Sequence, residues 1–215
     1  MVDDKAKSPD GVEKCSAVTI GSRNITGSGV GTNDFALPPG IAMQLKPGQQ
    51  LILNLHLFNT TDKAIQGVSG TLVKLSQDDQ IKSYAEGLLA GPINLAIPAR
   101  ARTTQSGVCT VDHDSTIFAV IPHMHQLGVH LKAVAHSSSM GEVMLSDRPY
   151  DFESQTVYPL AQEIPMKKGD TIAVDCTYEN TTNTSVVFGE SSLDEMWFAG
   201  IYRYPAGTGS FICTL

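Results

Sequence analysis

Two histidines two residues apart, His123 and His125, sit in the otherwise apolar run Phe-Ala-Val-Ile-Pro-His-Met-His-Gln-Leu-Gly at 118–128. In an extended strand, side chains at i and i+2 leave the same face about 6.5–7 Å apart, so both imidazoles can turn toward one small ion. A surface-facing pair on an ordinary strand has the same spacing. Farther along, Asp194-Glu-Met196 offers a thioether, which with the pair makes a soft N,N,S donor set. Such a set suits copper, because sulfur binds Cu(I) and imidazole serves both oxidation states; zinc more often recruits a third histidine, a carboxylate or a cysteine. Met196 is followed by Trp197 and Phe198, and a methionine in that company also serves as core filler. His56 stands on a separate stretch. His113, His130 and His136 are read as structural or solvated, although His130 follows the Gly128 turn and could be brought near the pair. No Ser-His-Asp or phosphate-loop pattern is present, and the glycines at 27, 29 and 31 lie in a loop with no helix after them.

The elements that must position these residues are strands. Over 50–58, Leu51, Leu53, Leu55 and Leu57 share one face and Ile52, Asn54, His56 and Phe58 the other, a period of two. Short β segments follow at 117–120 running on through the histidines, 129–135, 142–145, 171–178, 185–188 and 197–204. Turn signals such as Gly141, Pro149 and Gly169 separate them. No segment longer than about ten residues has a helical apolar period. The pattern predicts an all-β chain of antiparallel sandwich or jelly-roll domains.

Residues 45–61 align without gaps on 166–182, with Lys46/Lys167, Gly48/Gly169 and both Asn-Thr-Thr triplets identical. Turn–strand–turn pieces of β proteins resemble one another by chance. The alternative is two β domains of similar design, with His56 where the second has Thr177. The polar stretch 76–91 reads as the crossing between them. The resulting division is a loose tail at 1–12, a first β unit at 13–77, a linker at 78–83 and a second unit at 84–215.

Composition excludes some partners. The 215 residues are 41% hydrophobic and 17% charged, with a formal net charge of −7 and no basic run, so nothing attracts nucleic acid. No apolar run approaches the roughly 20 residues needed to span a bilayer. The polar start, Met1-Val-Asp-Asp-Lys5, lacks a signal-peptide core, so an export signal is expected to have been removed or never present. Cys15, Cys109, Cys176 and Cys213 follow no C-x-x-C spacing and fit disulfides in an oxidising compartment, hence a secreted, extracellular or periplasmic protein. Asn-x-Ser/Thr sequons at Asn24, Asn59, Asn180 and Asn183 matter where the source glycosylates.

Several short motifs, in order, carry a resemblance. They are Leu37-Pro-Pro-Gly40 leading into Leu55-His-Leu-Phe-Asn59, then Pro122-His-Met-His-Gln-Leu-Gly128, Asp175-Cys-Thr-Tyr178, Gly189-x-x-x-x-Asp-Glu-Met196 and Tyr202-Arg-Tyr-Pro205. Together they resemble the copper type II, ascorbate-dependent monooxygenases, which include peptidylglycine α-hydroxylating and dopamine β-monooxygenase. The likeness runs from about Phe35 to Cys213 and is mainly to the C-terminal catalytic domain. It implies two antiparallel sandwiches, each carrying one copper across a cleft, with the first truncated here and the second complete. It implies that His123, His125 and Met196 hold the copper that activates O₂, that His56 is one ligand of a second, electron-storing copper, and that ascorbate is the reductant. The reaction implied is hydroxylation of an activated C–H bond of a small molecule. Cys109 and Cys213 match one disulfide of that domain.

The departures are equally specific. The second copper's other ligands are an adjacent histidine pair, and the chain has no His-His; the site is incomplete unless a missing N-terminal segment or second chain supplies them. The peptide-amidating member holds a substrate carboxylate with an arginine two residues before its His-x-His and a tyrosine four after its methionine. Those positions are Ile121 and Gly200 here, which argues against a glycine-extended peptide. Trp197 replaces the cysteine expected to pair with Cys176, and Cys15 matches a cysteine whose mate this chain lacks. Three readings follow: a monooxygenase or its catalytic half, a copper-binding module without turnover, and a secreted β-sandwich interaction domain. Copper stoichiometry separates the last from the others, and oxygen consumption with ascorbate separates the first two.

Overall fold

The computed structural model describes residues 2–3, 23, 25–27, 34–53, 55, 59, 61–68, 70–91, 94–189, 191, 193–207 and 212–213. His56, Cys15 and Asn24 lie outside the described residues. The strands, in order, are β1 (Val2–Asp3), β2 (Ile41–Met43), β3 (Gln50–Leu51), β4 (Ser83–Ala90), β5 (Ala96–Ile97), β6 (Arg102–Thr110) and β7 (Ser115–Met124). They continue with β8 (Gly128–Ser137), β9 (Gly141–Pro149), β10 (Tyr158–Met166), β11 (Thr171–Glu179), β12 (Val186–Val187), β13 (Trp197–Tyr204) and β14 (Ile212–Cys213). One 3₁₀ turn, Asp78–Gln80, is the helical structure among the described residues.

Two sheets face each other, as the period-two patterns predict. One runs β10-β7-β13-β4-β14, with β2 also on β4; the other runs β6-β11-β8-β9. Ile117, Val120 and Met124 of β7 and Trp197, Ala199 and Ile201 of β13 meet Leu131 and Ala133 of β8 and Ile172, Val174 and Cys176 of β11 in the main core. Cys109 of β6 is disulfide-bonded to Cys213 of β14, so one bond ties the two sheets together.

The sheets differ on their outer faces. That of the four-stranded sheet is polar, with the Thr104 and Thr177 hydroxyls 2.8 Å apart and Arg102 paired with Glu179. The larger sheet is buried on both sides at its strands β7 and β13. Phe118, Ala119, Ile121 and Tyr202 form a second apolar cluster on its outer face, onto which Phe35, Leu37, Ile41 and Met43 pack. A strand buried on both faces loses its alternation, which is why β13 reads as a nearly continuous apolar run.

One irregularity bears on the site. Tyr202 pairs with Ala119 but Arg203 with Ile117, so Phe118 is an extra residue in β7, a β-bulge. Ile117 lies in the main core, Phe118 and Ala119 both belong to the outer cluster, and Val120 returns to the core.

Three stretches differ from expectation. The polar region 76–91 holds β4, whose Ala85, Leu88 and Ala90 are buried; its Glu86 and Gly87 hid it from an apolar pattern. The edge strands β6 and β10 add to the expected set, β6 being rich in Thr and Ser and β10 carrying two prolines, which edge positions tolerate. The strand expected over 50–58 is assigned only at Gln50–Leu51, with residues 54 and 56–58 outside the described set.

Candidate metal centre

The ladder between β7 and β13 brings the candidates together. Phe198 pairs with His123 and Trp197 with Met124. The same register carried one residue further sets Met196, just before β13, opposite His125, just after β7. Beyond the bulge, Val120 and Met124 belong to the core, so alternation sends Ile121 and His123 to the opposite, outer face. The two imidazole centroids are 5.5 Å apart with their planes at 86°. His125 is 1% exposed and Met196 6%.

Hydrogen bonds fix which nitrogen of each ring can bind a cation. Gln155 donates its amide N–H to the Phe152 carbonyl, 3.1 Å, which leaves Oε1 as the end that meets His123 Nδ1 at 2.9 Å. Nδ1 therefore carries the proton and donates it. His125 Nδ1 likewise donates to the Asp194 carbonyl at 3.0 Å. A neutral imidazole protonated at Nδ1 has its lone pair on Nε2. Anchoring a ring through its other nitrogen in this way is how metal-binding histidines are usually held. Two such imidazoles and a thioether fit a soft, copper-like ion.

The surroundings are built by segments that carried no obvious signal. In the connection at 150–157, the Tyr150 hydroxyl donates to the Met124 carbonyl and the Phe152 ring stands edge-on to His125 at 6.2 Å. The Tyr178 hydroxyl donates to the Met196 carbonyl at 3.1 Å. Glu195 is 0% exposed. Its carboxylate accepts from the backbone N–H groups of Leu127 at 2.6 Å, His125 at 2.9 Å and Met196 at 3.2 Å. Burial pushes this carboxyl up to about 7 against the pull of those donors. Glycine is required at two motif positions, since a Cβ on Gly128 would meet the Met124 side chain and one on Gly189 the Asp194 carboxylate.

Tyr150, Phe152 and Gln155 lie in an irregular connection with no spacing pattern to mark them. Glu195 was visible in Asp194-Glu-Met196, directly beside the thioether, but its burial and its bonds to the backbone at 125 and 127 carry no local signal.

Other candidates stand apart. His113 bonds Asp112 and the Pro205 carbonyl; His130 pairs with Asp147 at 3.1 Å and His136 with Glu142 at 4.0 Å, both on the four-stranded sheet. No group of three or more His, Cys, Asp and Glu side chains suited to a metal occurs among the described residues. Cys176 is a buried free thiol beneath the strand that carries Trp197. Ile121 and Gly200 are direct cross-strand partners, and a Cβ on Gly200 would run into the Ile121 side chain. The tight fit leaves no room for a large side chain at 200.

Comparison with known proteins gives a consistent result. Residues 85–214 match the family model described as copper type II ascorbate-dependent monooxygenase, C-terminal domain. The chain is 24% identical to the human protein named putative DBH-like monooxygenase protein 2, covering 92% of this chain and 44% of that one. It is also 24% identical to the mouse DBH-like monooxygenase protein 2, covering 92% and 36%, and 26% identical to the Drosophila melanogaster MOXD1 homolog 1, covering 82% and 28%. The chain thus spans less than half the length of these relatives. Among solved structures, a likeness to an infectious bursal disease virus structure of the Gx strain has a TM-score of 0.30 at 12% identity over 65% of this chain and 39% of that one.

Proposed function

The chain belongs to the copper type II ascorbate-dependent monooxygenase family, with residues 85–214 as its C-terminal domain, and on that premise we propose that it is the O₂-activating half of a copper hydroxylase. His123, His125 and Met196 hold the copper. The observation that carries this reading is the β7–β13 register, which sets the thioether opposite one imidazole while both Nδ1 atoms are occupied by carbonyl-type acceptors. When bound, copper supplies one-electron chemistry toward O₂, with ascorbate as the source of electrons and an activated C–H bond as the target.

The chain's own residues orient and exclude. Gln155 and the Asp194 carbonyl present Nε2 of each ring to the ion. Phe152 covers one side of His125. Ile121 and Gly200 leave no charged or hydroxyl group at the positions that hold a carboxylate in the peptide-amidating member, so the substrate is a small molecule without that anchor. The Cys109–Cys213 disulfide fits an oxidising compartment, and secretion is part of the proposal. So are the division into a partial first sandwich at 13–77 and a copper sandwich at 84–215, and a second-ion site at His56 that binds weakly or not at all unless another segment or chain supplies further ligands.

A second reading, a copper-binding module without turnover, keeps the same three ligands and differs in oxygen uptake. Copper titration of the reduced chain, followed by X-ray absorption on wild type and Met196→Ile, tests the site. A single copper with a sulfur scatterer that vanishes in the variant is expected. Persistence of the sulfur, or undiminished binding after His123→Ala and His125→Ala, would falsify the assignment. Oxygen uptake with ascorbate then decides between hydroxylase and module.

A further inference from the structure

We propose that Glu195 is a positioning residue of this centre, its carboxylate locking the turn after the histidine pair onto the backbone of Met196 so that the thioether stays in register with the imidazoles. The proposal rests on reading His123, His125 and Met196 as copper ligands.

The β7–β13 ladder makes its last pairing at Met124 and Trp197, one residue short of His125 and Met196. At those two residues the backbone N–H groups both turn to one oxygen of Glu195, at 2.9 and 3.2 Å, while the other oxygen takes the Leu127 N–H at 2.6 Å. The carboxylate therefore takes over the cross-strand connection where the ladder stops. Glu195 is itself anchored, its N–H donating to the Val187 carbonyl and its carbonyl accepting from Gly189 N–H, both at 3.1 Å.

Only one kind of side chain suits this place. Every group pointed at it is a donor, so both terminal atoms must be acceptors, which an amide cannot provide. Aspartate supplies two acceptor oxygens but is one methylene shorter than the span between Leu127 and Met196 occupied here. The His123 ring is held from another direction, by Gln155. Loss of the carboxylate should thus release the thioether and leave imidazole binding largely in place.

The experiment is X-ray absorption and Cu(I) titration on the reduced, full chain as Glu195→Gln, with Val174→Ala in the remote core of β11 as a stability-matched control. In Glu195→Gln the sulfur scatterer should weaken or vanish, the imidazole scatterers persist, and Cu(I) affinity fall by about 10–100-fold, the range for groups that orient metal ligands. Val174→Ala should lower the unfolding temperature and keep the sulfur. Sulfur and affinity unchanged in a folded Glu195→Gln overturn the proposal while leaving the copper reading intact. A wild type without a sulfur scatterer overturns the copper reading and this proposal with it. Should Glu195→Gln not fold, hydrogen exchange in the wild type decides: the amides of His125, Leu127 and Met196, sharing one carboxylate, should open together, and three unrelated rates overturn the lock.

Discussion

Two turns within 45–63 have the same hydrogen bonds as two within 166–184, in opposite surroundings. In both, a glycine with positive φ turns the chain, Gly48 at 81° and Gly169 at 94°. In both, a side-chain oxygen at the next position accepts from the lysine N–H, Gln49 to Lys46 at 2.6 Å and Asp170 to Lys167 at 2.8 Å. Each segment also holds an asparagine-centred turn of the same hydrogen bonds. Asn59 accepts from Thr61 N–H at 3.0 Å and donates to the Lys63 carbonyl at 2.8 Å, and Asn180 accepts from Thr182 N–H at 3.0 Å and donates to the Thr184 carbonyl at 2.9 Å. Yet Leu51, Leu53 and Leu55 are 63, 60 and 43% exposed, while their counterparts Ile172, Val174 and Cys176 are at most 1% exposed. The turns depend on sequence within a few residues. Burial depends on β6 and β8, which flank β11 along its whole length, and on the opposite sheet.

The largest expected contrast comes from the disulfide. Reducing Cys109–Cys213, which closes a separation of 104 residues, should destabilise the second unit by about 4–5 kcal/mol in the chain-entropy model. Hydrogen exchange at the 59–63 turn should not respond. Protection lost equally in both turns would mean that the two regions unfold as one.

Core truncation should separate the strands nearly as well. Ile172→Ala should cost about 2–5 kcal/mol in denaturant unfolding, whereas Leu51→Ala should stay within about 0.5 kcal/mol, as for other exposed sites. A comparable loss from Leu51→Ala would show that another segment or copy covers that face in solution.

The smallest effect should be the same in both places. Gly48→Ala and Gly169→Ala each force an L-residue into left-handed backbone at about 1–2 kcal/mol. The readout is exchange at the Gln49 and Asp170 amides, which close the two turns onto Lys46 and Lys167. A marked inequality would mean that the turns are not equivalent.

Much of this was legible in the sequence because it is local. Alternation marked β8, β11 and the shared face of the two histidines, and the spacing of His123, His125 and Met196 within their motifs pointed to a soft site. What escaped was set by distant contacts. The strand β4 pairs with β13 and β2 and accepts both Glu and Gly in its run, and β10 is recognisable only once β7 is beside it. Gln155 reaches His123 across 32 residues and Glu195 reaches His125 across 70, separations at which no periodicity carries information. The Cys109–Cys213 bond followed from the family resemblance and stands in the structure.

The bulge at Phe118 has a consequence for how such a chain can vary. Side chains on a strand alternate, so a shift of one residue sends every later one to the opposite face. Between Ile117 in the core and His123 on the outer face the count works only because Phe118 is supernumerary. Exchanging Phe118 for another large apolar residue preserves that parity. Deleting it would leave a regular ladder with Ala119 next to Ile117 and keep the imidazoles on the outer face, whereas inserting one residue between 119 and 122 would turn them toward the core and bring Pro122 and Met124 to the outer face. Over evolutionary time this segment can therefore drift in side-chain identity and even lose the bulged residue, while a homologue with one residue inserted after the bulge would have lost the centre even with both histidines retained.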